Sequence, residues 1–340
     1  MRGFSNTTIA VFGGAGFIGS NFIRKVLLES PKTRIVCVDA LTYAGNKENV
    51  KGLPKSRLIF IKGDITDAAL MTRVFKKYVP SYVINFAAES HVDRSIHGGA
   101  VPFIRTNVLG ATVLLEALKR TPSVKKFVQV STDEVYGSLS LKSNKRFTET
   151  SPLAPNSPYA ASKAATDLVA RSFYVTYGLP IVITRSSNNY GPYAYPEKFI
   201  PYSIMRLMEG KPIALYGDGR YVRDWIHVED HCSALVLALL AGVPGEVYNI
   251  GADDEVDNLT LAEHMVSYFK KDKSAITFVK DRPGHDRRYA IDASKIRKEL
   301  GWKPRHSFRT SFAPTIAWYV ENAAWMRRAL TRTGGANTHI

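Results

Sequence analysis

Two adjacent carboxylates follow an apolar run that is typical of a buried strand. Residues 130–137 read Val-Ser-Thr-Asp-Glu-Val-Tyr-Gly, and the two acids are Asp133 and Glu134. An isolated carboxylate costs several kcal/mol to bury, so the pair is either a solvated loop near a rim or is kept for chemistry. Because neighbouring carboxylates in a dry cleft do not both ionise readily, one tends to keep its proton while the other is a base. An acid beside a base is what an elimination requires.

A tyrosine and a lysine stand four residues apart in Tyr159-Ala-Ala-Ser-Lys163. In a helix this spacing puts both side chains on one face, where Lys⁺ and a nicotinamide cation can lower the pKa of the tyrosine from about 10 toward neutrality. A phenolate prepared in this way can take the proton of a sugar hydroxyl as hydride leaves the same carbon. Such pairs often merely pack, so this interpretation depends on a dinucleotide site nearby.

A glycine-rich segment, Gly13-Gly-Ala-Gly16-Phe-Ile-Gly19, follows the first predicted strand and opens a helix. Its glycines let the backbone approach a pyrophosphate, and the helix N-terminus supplies N–H donors and a favourable dipole. Asp39 ends the next predicted strand, 20 residues beyond Gly19. A carboxylate there accepts the adenosine ribose hydroxyls and repels a 2′-phosphate, so the sequence predicts NAD rather than NADP.

Two further segments follow predicted strands. Asp64-Ile65 comes after the third strand, where the carboxylate either lies near the adenine or forms a plain turn or helix cap. Ala87 and Ala88 come after the fourth strand and are small enough for the chain to lie against the cofactor. Tight helix–sheet packing needs small residues too, so both interpretations stay open.

The elements that position these groups alternate between strands and helices. Short, β-branched apolar runs occupy residues 8–12, 34–38, 58–61, 82–86, 127–131 and 181–185. Continuous apolar strands separated by helices predict an α/β fold with a Rossmann-type, doubly wound parallel sheet.

The sequence pattern changes at about residue 191. From there, Pro- and Gly-rich connections, such as the turn at Gly217-Asp218-Gly219, separate shorter elements. We therefore expect an NAD-binding Rossmann domain at 1–190 and a smaller mixed α/β C-terminal lobe for the substrate at 191–330. Some segments are expected to interleave with the first domain. Residues 331–340 are expected to form a flexible tail.

The composition indicates a globular protein. The chain has 340 residues, 45% hydrophobic and 22% charged. No apolar run approaches the roughly 20 residues that span a bilayer, and strand-like sequence begins by Thr8, which leaves no room for a signal peptide. We expect no membrane association and a cytoplasmic location. Cys37 and Cys232 lie in apolar segments and are interpreted as free, buried thiols.

The formal net charge of +16 raises the question of a nucleic-acid partner. The excess is scattered, with no Lys/Arg block and no RNA-binding signature, so we expect none. Attraction of anionic small ligands and a solvated surface without a role explain the charge equally well. His227 and His231 stand four apart, but no third and fourth ligand has suitable spacing, so no metal is predicted.

Taken together, these segments resemble the NAD-dependent nucleotide-sugar epimerase/dehydratase family of extended short-chain dehydrogenases/reductases, in particular its 4,6-dehydratases that act on dTDP-glucose. The matching segments are GGAGFIGSN at 13–21, DALTYAGN at 39–46, FAAESHVDRSI at 86–96, STDEVYG at 131–137, YAASK at 159–163, RSSNNYGPYAYPEKFIP at 185–201, YGDGRYVRDWIHVEDH at 216–231 and DRPGHDRRYAID at 281–292. The acid pair is the most specific feature. Epimerases of the wider family usually lack it, and decarboxylases typically have Ser where this chain has Asp133.

The resemblance implies a mechanism. Tyr159, paired with Lys163 and helped by Thr132, takes the C4 hydroxyl proton while hydride passes to NAD. Glu134 removes the C5 proton, which the 4-keto group has acidified, and Asp133 protonates the departing C6 hydroxyl. Hydride then returns to C6 and Glu134 returns a proton to C5. The product is a 4-keto-6-deoxy sugar, and NAD is a bound catalyst.

The resemblance also implies the binding residues. The expected cofactor contacts are Gly13, Gly16, Phe17, Ile18, Gly19, Asp39, Asp64, Ile65, Ala87, Ala88, Thr106, Tyr159, Lys163 and Asn189. The expected substrate contacts are Ser90, Thr132, Asn188, Lys198, Phe199, Tyr216, Arg223, Asn258, Arg282 and His285. Arginine and lysine suit a diphosphate, since a guanidinium fork matches phosphate oxygens.

Three alternatives stay open. A UDP-glucose 4,6-dehydratase would share every catalytic residue, because the chemistry takes place on the hexose. A non-catalytic NAD-binding scaffold is a candidate from another class, although the intact catalytic set argues against it. The apolar face of the predicted helix at 103–121 needs a partner surface. That partner is either the core of the same chain or, with the helix at 159–177, a second copy in a homodimer.

Overall fold

The computed structural model describes residues 3–332, in which strands alternate with helices through the N-terminal half. The strands are β1 (Thr8–Phe12), β2 (Arg34–Asp39), β3 (Leu58–Lys62), β4 (Tyr82–Asn85), β5 (Lys126–Thr132), β6 (Ile181–Ser186), β7 (Asn188–Tyr190), β8 (Ile213–Tyr216), β9 (Val222–His227), β10 (Val247–Ile250), β11 (Glu255–Asp257) and β12 (Ile276–Val279). The helices are α1 (Phe17–Glu29), α2 (Ala68–Tyr78), α3 (Val92–His97), α4 (Val101–Phe103), α5 (Ala111–Lys119), α6 (Pro158–Tyr177), α7 (Phe199–Met208), α8 (Val228–Ala241), α9 (Asn258–Tyr268), α10 (Ser294–Leu300), α11 (Phe308–Glu321) and α12 (Ala323–Thr331).

The central sheet has seven parallel strands in the order β10-β6-β5-β4-β1-β2-β3. Helices α1, α8 and α10 cover one face, and α2, α5 and α6 cover the other. Because both faces are buried, the strands are apolar throughout rather than alternating. The predicted Rossmann-type parallel sheet is confirmed.

The segment after residue 190 contributes to both parts of the molecule. Strand β10 joins the large sheet beside β6, and α8 packs against α1. The remaining strands form a three-stranded sheet, β11-β9-β7, and a two-stranded sheet, β12-β8. Helices α7, α9, α11 and α12 enclose the apolar core of this smaller lobe. The boundary at 190/191 stays a prediction. Of the predicted tail, Thr331 is the last residue of α12, and residues 333–340 lie outside the described part.

The helix predicted at 103–121 is interrupted. A π-helical turn, Ile104–Gly110, joins α4 to α5. Within it the amide of Asn107 donates to Glu89 O and accepts from Glu89 N, at 3.0 and 2.8 Å. Gly110 packs so closely that a Cβ there would lie 2.5 Å from the side chain of Ile65. These contacts explain the irregular turn, which apolar periodicity alone does not reveal.

The segment Val101–Lys119 is also long and apolar enough, by length and composition, to cross a membrane. Counting uninterrupted apolar residues missed it, because the polar residues of the π-helical turn divide it. About 44% of its most apolar window is buried, and Leu114, Leu115 and Leu118 pack against the large sheet. A core helix of this kind passes the same test as a membrane span.

Candidate active site

One cleft of about 460 Å³ lies beside the carboxyl ends of the central strands, where doubly wound folds bind their ligands. The C-terminal lobe forms its other wall. The cleft is lined by every predicted site residue: Gly13, Gly16, Phe17, Ile18, Gly19, Asp39, Asp64, Ile65, Ala87, Ala88, Ser90, Thr106, Thr132, Asp133, Glu134, Tyr159, Lys163, Asn188, Asn189, Lys198, Phe199, Tyr216, Arg223, Asn258, Arg282 and His285. All eight segments that carry the family resemblance contribute to this lining, and Asp64, Ile65, Thr106 and Asn258 come from outside them.

The glycine-rich turn between β1 and α1 fits a dinucleotide. Gly13 has a positive φ of 75°, and a Cβ on it would lie 2.5 Å from Ala87 N. A Cβ on Gly19 would lie 2.4 Å from Gly13 O. The N-cap of α1, Gly16, has no capping side chain, so the first N–H groups of the helix are available to a ligand. Only glycine leaves this backbone open to a pyrophosphate.

The two acids at the adenosine end of the cleft differ in their contacts. Asp39 accepts from Ala15 N at 2.9 Å and from Leu41 N at 2.8 Å, which fixes its carboxylate beside the glycine-rich turn. Burial raises the pKa of Asp39, and these backbone donors oppose the rise. Asp64 accepts from Thr66 N and Thr66 Oγ1, so it forms a turn, as one of the two interpretations of this residue expected. It also lines the cleft.

Helix α6 begins so that its first turn faces the cleft. Ser157 caps it by accepting from Ala160 N, and Pro158 occupies the first helical position. Tyr159 and Lys163 follow, and both line the cleft. The Lys163 ammonium donates to Val130 O at 2.6 Å, and burial lowers its pKa to about 8.

Burial and the charge of Glu134 raise the pKa of Tyr159, while a hydrogen bond with Thr132 opposes the rise. Among the described groups, Lys163 is not a principal influence on the Tyr159 hydroxyl. A lowered pKa for Tyr159 therefore depends on a further positive charge, and it stays a prediction for the site with its cofactor bound.

Asp133 is among the most buried charged residues of the site. It follows β5 directly, is 1% exposed, and its Oδ2 has no hydrogen-bond partner within residues 3–332. Burial raises its pKa well above the usual range, and the charges of Glu134 and Asp224 add to the rise. Burial and these two negative charges therefore favour the protonated form of Asp133.

Glu134 is adjacent to Asp133 but has more positive charges around it. Burial raises its pKa, and the positive charges of Arg282, Arg223 and Lys198 oppose the rise. Burial thus raises the pKa of both adjacent carboxyl groups, and Glu134 is the one for which three cations oppose the rise. The roles of Asp133 as the acid and Glu134 as the base stay predictions.

The cations of the substrate side are fixed by neighbours. Arg282 donates to Asp93 Oδ1 at 2.6 Å, and Lys198 donates to Ser90 O at 2.7 Å. The Arg223 guanidinium lies 4.3 Å from the centre of the Tyr289 ring. His285 stacks on Tyr221 with ring centres 3.6 Å apart. Positive groups that are preorganised in this way suit a diphosphate.

The two histidines considered as metal ligands have separate roles. His231 Nδ1 lies 2.8 Å from Asn189 Oδ1, so it orients a predicted cofactor contact. His227 instead stacks on His306, and with Glu229 these form a group whose ligand atoms lie within 4.8 Å of one another. His227 Nδ1 already accepts from Glu229 N, and the N-terminus of α8 carries a partial positive charge that disfavours a cation.

Several cleft residues were not among the predicted contacts. Glu197 and His91 approach to 4.0 Å, and burial raises the pKa of Glu197 to about 7 and lowers that of His91 to about 3. Tyr289 also lines the cleft and bonds Asp286 through its hydroxyl. All of them lie inside segments that carried the family resemblance. Their position as polar residues within these segments was the sequence signal that could have identified them as cleft residues.

Comparison with known proteins agrees with this geometry. Residues 10–315 match the family model described as GDP-mannose 4,6 dehydratase. The chain is 48% identical over 341 aligned positions to a dTDP-glucose 4,6-dehydratase of Xanthomonas campestris pv. campestris (strain B100), covering 95% of this chain and 96% of the relative.

Solved structures agree as well. DesIV, the dTDP-glucose 4,6-dehydratase of Streptomyces venezuelae, was solved with NAD bound; it is 46% identical with a TM-score of 0.91 and covers 95% of this chain and 99% of its own. The NAD complex of the enzyme from Bacillus anthracis str. Ames is 47% identical with a TM-score of 0.88, covering 95% and 99%. The chain therefore belongs to the dTDP-glucose 4,6-dehydratase family.

Proposed function

We propose that this chain converts dTDP-glucose to dTDP-4-keto-6-deoxyglucose, with NAD as a bound catalyst. The reaction consists of oxidation at C4, elimination of water across C5 and C6, and reduction at C6. The observation that carries the proposal is the pair Asp133 and Glu134, which share one cleft with Tyr159 but have opposed electrostatic surroundings. Support for dTDP-glucose comes from the relatives, whose names specify it.

The chain holds the cofactor through the features already described. The open N–H groups at the start of α1 bind the pyrophosphate, and Asp39 binds the adenosine ribose. Asn189, oriented by His231, faces the same space. NAD bound there supplies the hydride acceptor for C4 and the hydride donor for C6.

Tyr159 receives the proton of the C4 hydroxyl at its Oη when it is in the phenolate form, which the positive charge of a bound nicotinamide would favour. Thr132 helps because its hydrogen bond opposes the rise in the pKa of Tyr159. Lys163 holds a positive charge one helical turn away on the same face of α6. With these groups in place, removal of the hydroxyl proton and departure of hydride take place at one carbon.

Glu134 removes the C5 proton and later returns it. The charges of Arg282, Arg223 and Lys198 favour its ionised form against the effect of burial, as the role of base requires. Asp133 keeps its proton and delivers it to the C6 hydroxyl as that group leaves as water. The second role needs a protonated carboxyl group, and burial of Asp133 with no partner for its Oδ2 within residues 3–332 favours that form.

The nucleotide end of the substrate requires positive charge. Arg223, Arg282 and Lys198 line the cleft opposite the glycine-rich turn and suit the diphosphate. These contacts do not distinguish thymine from uracil, so UDP-glucose is the competing substrate. The decisive experiment therefore supplies each nucleotide sugar separately.

Purified protein incubated with dTDP-glucose should yield a product that is lighter by one water and shows the alkaline absorbance of a 4-keto-6-deoxy sugar, without net accumulation of NADH. Faster turnover of UDP-glucose would show that the preferred nucleotide is UDP and not dTDP. If NAD is bound but neither sugar changes, the chain is a scaffold or acts on another sugar. The matched control is Asp133→Asn with Glu134→Gln, which preserves side-chain size.

We further propose that the chain forms a homodimer through the helices at 103–121 and 159–177. Their outward faces expose large apolar side chains, including Leu109 on the first and Leu168 and Val175 on the second, which are 50%, 59% and 62% exposed. The π-helical turn that carries Leu109 packs against α6, which carries Leu168 and Val175, so these exposed side chains lie on neighbouring elements. Exposed apolar patches of this kind mark interfaces. Light scattering should give twice the monomer mass.

We propose a cytoplasmic location as well. Cys37 and Cys232 are free and buried, and burial raises the pKa of both thiols. Free thiols are typical of a reducing compartment. Cell fractionation tests this directly, with a periplasmic or membrane fraction as the contrary result.

A further inference from the structure

The end of the described chain lies against the loop that follows Asp39. Arg332, one residue beyond α12, donates through Nη1 to Leu41 O at 3.3 Å and to Thr42 O at 3.1 Å. Its Nη2 donates to Thr42 O at 3.1 Å and to Tyr43 O at 2.8 Å. One guanidinium therefore joins three consecutive carbonyl groups.

Two residues of α12 hold the segment behind this loop. Arg328 forms a fork with Glu48, with N to O distances of 2.9 to 3.1 Å. Trp325 Nε1 donates to Oδ1 of the buried Asn49 at 3.0 Å. Asn49 in turn donates to Ala15 O at 2.9 Å, so the contacts continue into the glycine-rich turn.

The loop held in this way has an unfavourable conformation. Leu41 has φ of 55°, in the left-handed region that residues with a Cβ avoid. Such a conformation persists only where surrounding contacts over-determine it. Asp39 Oδ1 provides one contact by accepting from Leu41 N, and Arg332 provides another at Leu41 O. Asp39 is therefore positioned by the same backbone that Arg332 fixes.

The loop forms a wall of the cleft and reaches toward the substrate side. Its lining residues are Ala40, Thr42, Ala44 and Gly45. The Tyr43 hydroxyl lies 3.2 Å from Ser90 Oγ, a predicted substrate contact. A displacement of this loop would thus affect the cofactor first and the sugar second.

We propose that Trp325, Arg328 and Arg332, here called the C-terminal clamp, set the affinity for NAD by holding residues 40–49 in their binding conformation. They are positioning residues, because none of the three lines the cleft. The inference rests on the NAD site of the proposed function and not on dTDP-glucose as the substrate.

The test measures NAD binding by calorimetry on nucleotide-free protein, without any sugar. We expect the Kd of NAD to rise by about three- to tenfold in Arg328→Ala with Arg332→Ala, which is the scale of interactions made by exposed charged groups. The matched control is Arg327→Ala on the same helix, since Arg327 makes none of these contacts within residues 3–332. An unchanged Kd in the double variant would overturn the proposal.

Two further variants separate the clamp from simpler explanations. Arg332→Lys keeps the positive charge near Asp39 but loses the fork, so it should retain most of the defect. Wild-type affinity in that variant would show that charge, and not a fixed loop, is responsible. Glu48→Gln removes the Arg328 fork from the loop side with α12 unchanged, and it should also weaken NAD. It decides the matter if the double variant does not fold.

Steady-state kinetics gives an independent readout. Because the clamp positions a binding loop, the double variant should require more NAD for half-maximal turnover while its kcat at saturating NAD stays close to that of the wild type. A fall in kcat at saturating NAD would place the clamp in the chemical step and overturn the positioning role. If the wild type binds NAD but does not turn over dTDP-glucose, the proposed substrate is wrong and the proposal about the C-terminal clamp is unaffected.

Discussion

Asp133→Asn should change how the stability of the protein depends on pH. Asp133 is buried without a partner for Oδ2, and burial followed by the charge of Glu134 raises its pKa well above the usual range. The folded state therefore keeps this proton at pH values where the unfolded chain has lost it. The associated stability is complete below about pH 4, the pKa of an unfolded aspartate, and is lost as pH rises toward the folded pKa.

The size of the effect follows from one bound proton. A folded state that binds one proton more than the unfolded state loses about 1.4 kcal/mol of unfolding free energy for each pH unit. Asparagine is neutral at every pH, so it removes this dependence. If Asp133 stays protonated in the folded state to pH 7, the wild type loses about 3 kcal/mol more than the variant between pH 5 and pH 7.

Urea unfolding of nucleotide-free protein at pH 5, 6 and 7 measures this difference, provided that the denaturant slopes agree. Asp218→Asn is the control. Hydrogen bonds from Arg287 lower the pKa of Asp218 to about 2, so Asp218 is ionised in both states between pH 5 and pH 7. This variant should shift the stability by a constant amount. Parallel curves for the wild type and Asp133→Asn would refute a protonated Asp133 and with it the role of general acid.

Four further outcomes are expected. Asp133→Asn with Glu134→Gln should still oxidise C4 slowly and hold NADH, seen by its absorbance, while releasing almost no keto sugar; wild-type turnover would contradict the acid and base roles. Tyr159→Phe should slow hydride transfer in single turnovers by about 10² or more, and an unchanged rate would remove Tyr159 from the mechanism. Leu168→Glu should give monomers by light scattering with the fold retained, whereas intact dimers would place the interface elsewhere. Because burial raises the pKa of Glu197 to about 7, kcat/KM of the wild type should change near pH 7 and Glu197→Gln should abolish that change; a persistent change would implicate another group.

The parallel sheet could be predicted from the sequence because strands buried on both faces are continuously apolar. Each of the six predicted strands overlaps an observed one. The seventh, β10, lies far along the chain in a region of short elements, and only its pairing with β6 places it in the large sheet. Apolar periodicity also missed the π-helical turn, since the contacts of Asn107 and Gly110 that produce it are with distant residues.

The residues of the cleft could be predicted from the sequence for a different reason. The glycine-rich turn, the acid pair and the tyrosine with its lysine have local spacings that their chemistry requires. Pairings across the chain were not accessible. The stacking of His227 on His306 and the fork between Arg328 and Glu48 join residues whose separation in sequence has no fixed pattern. The first contact follows from packing within the C-terminal lobe, and the second from the packing of that lobe against the N-terminal part.

The division of labour between the two acids illustrates what packing adds. Sequence alone permits either member of the pair to be the acid, because aspartate and glutamate have nearly the same pKa in water. In the fold, the charge of Asp224 raises the pKa of Asp133, whose Oδ2 has no donor within residues 3–332. Arg223 opposes the rise for both acids, whereas Arg282 and Lys198 are principal influences on Glu134 alone. The same cations that suit the diphosphate thus favour the ionised form of the base. Loss of Arg223 or Arg282 should therefore impair proton removal from C5 as well as binding of the nucleotide sugar.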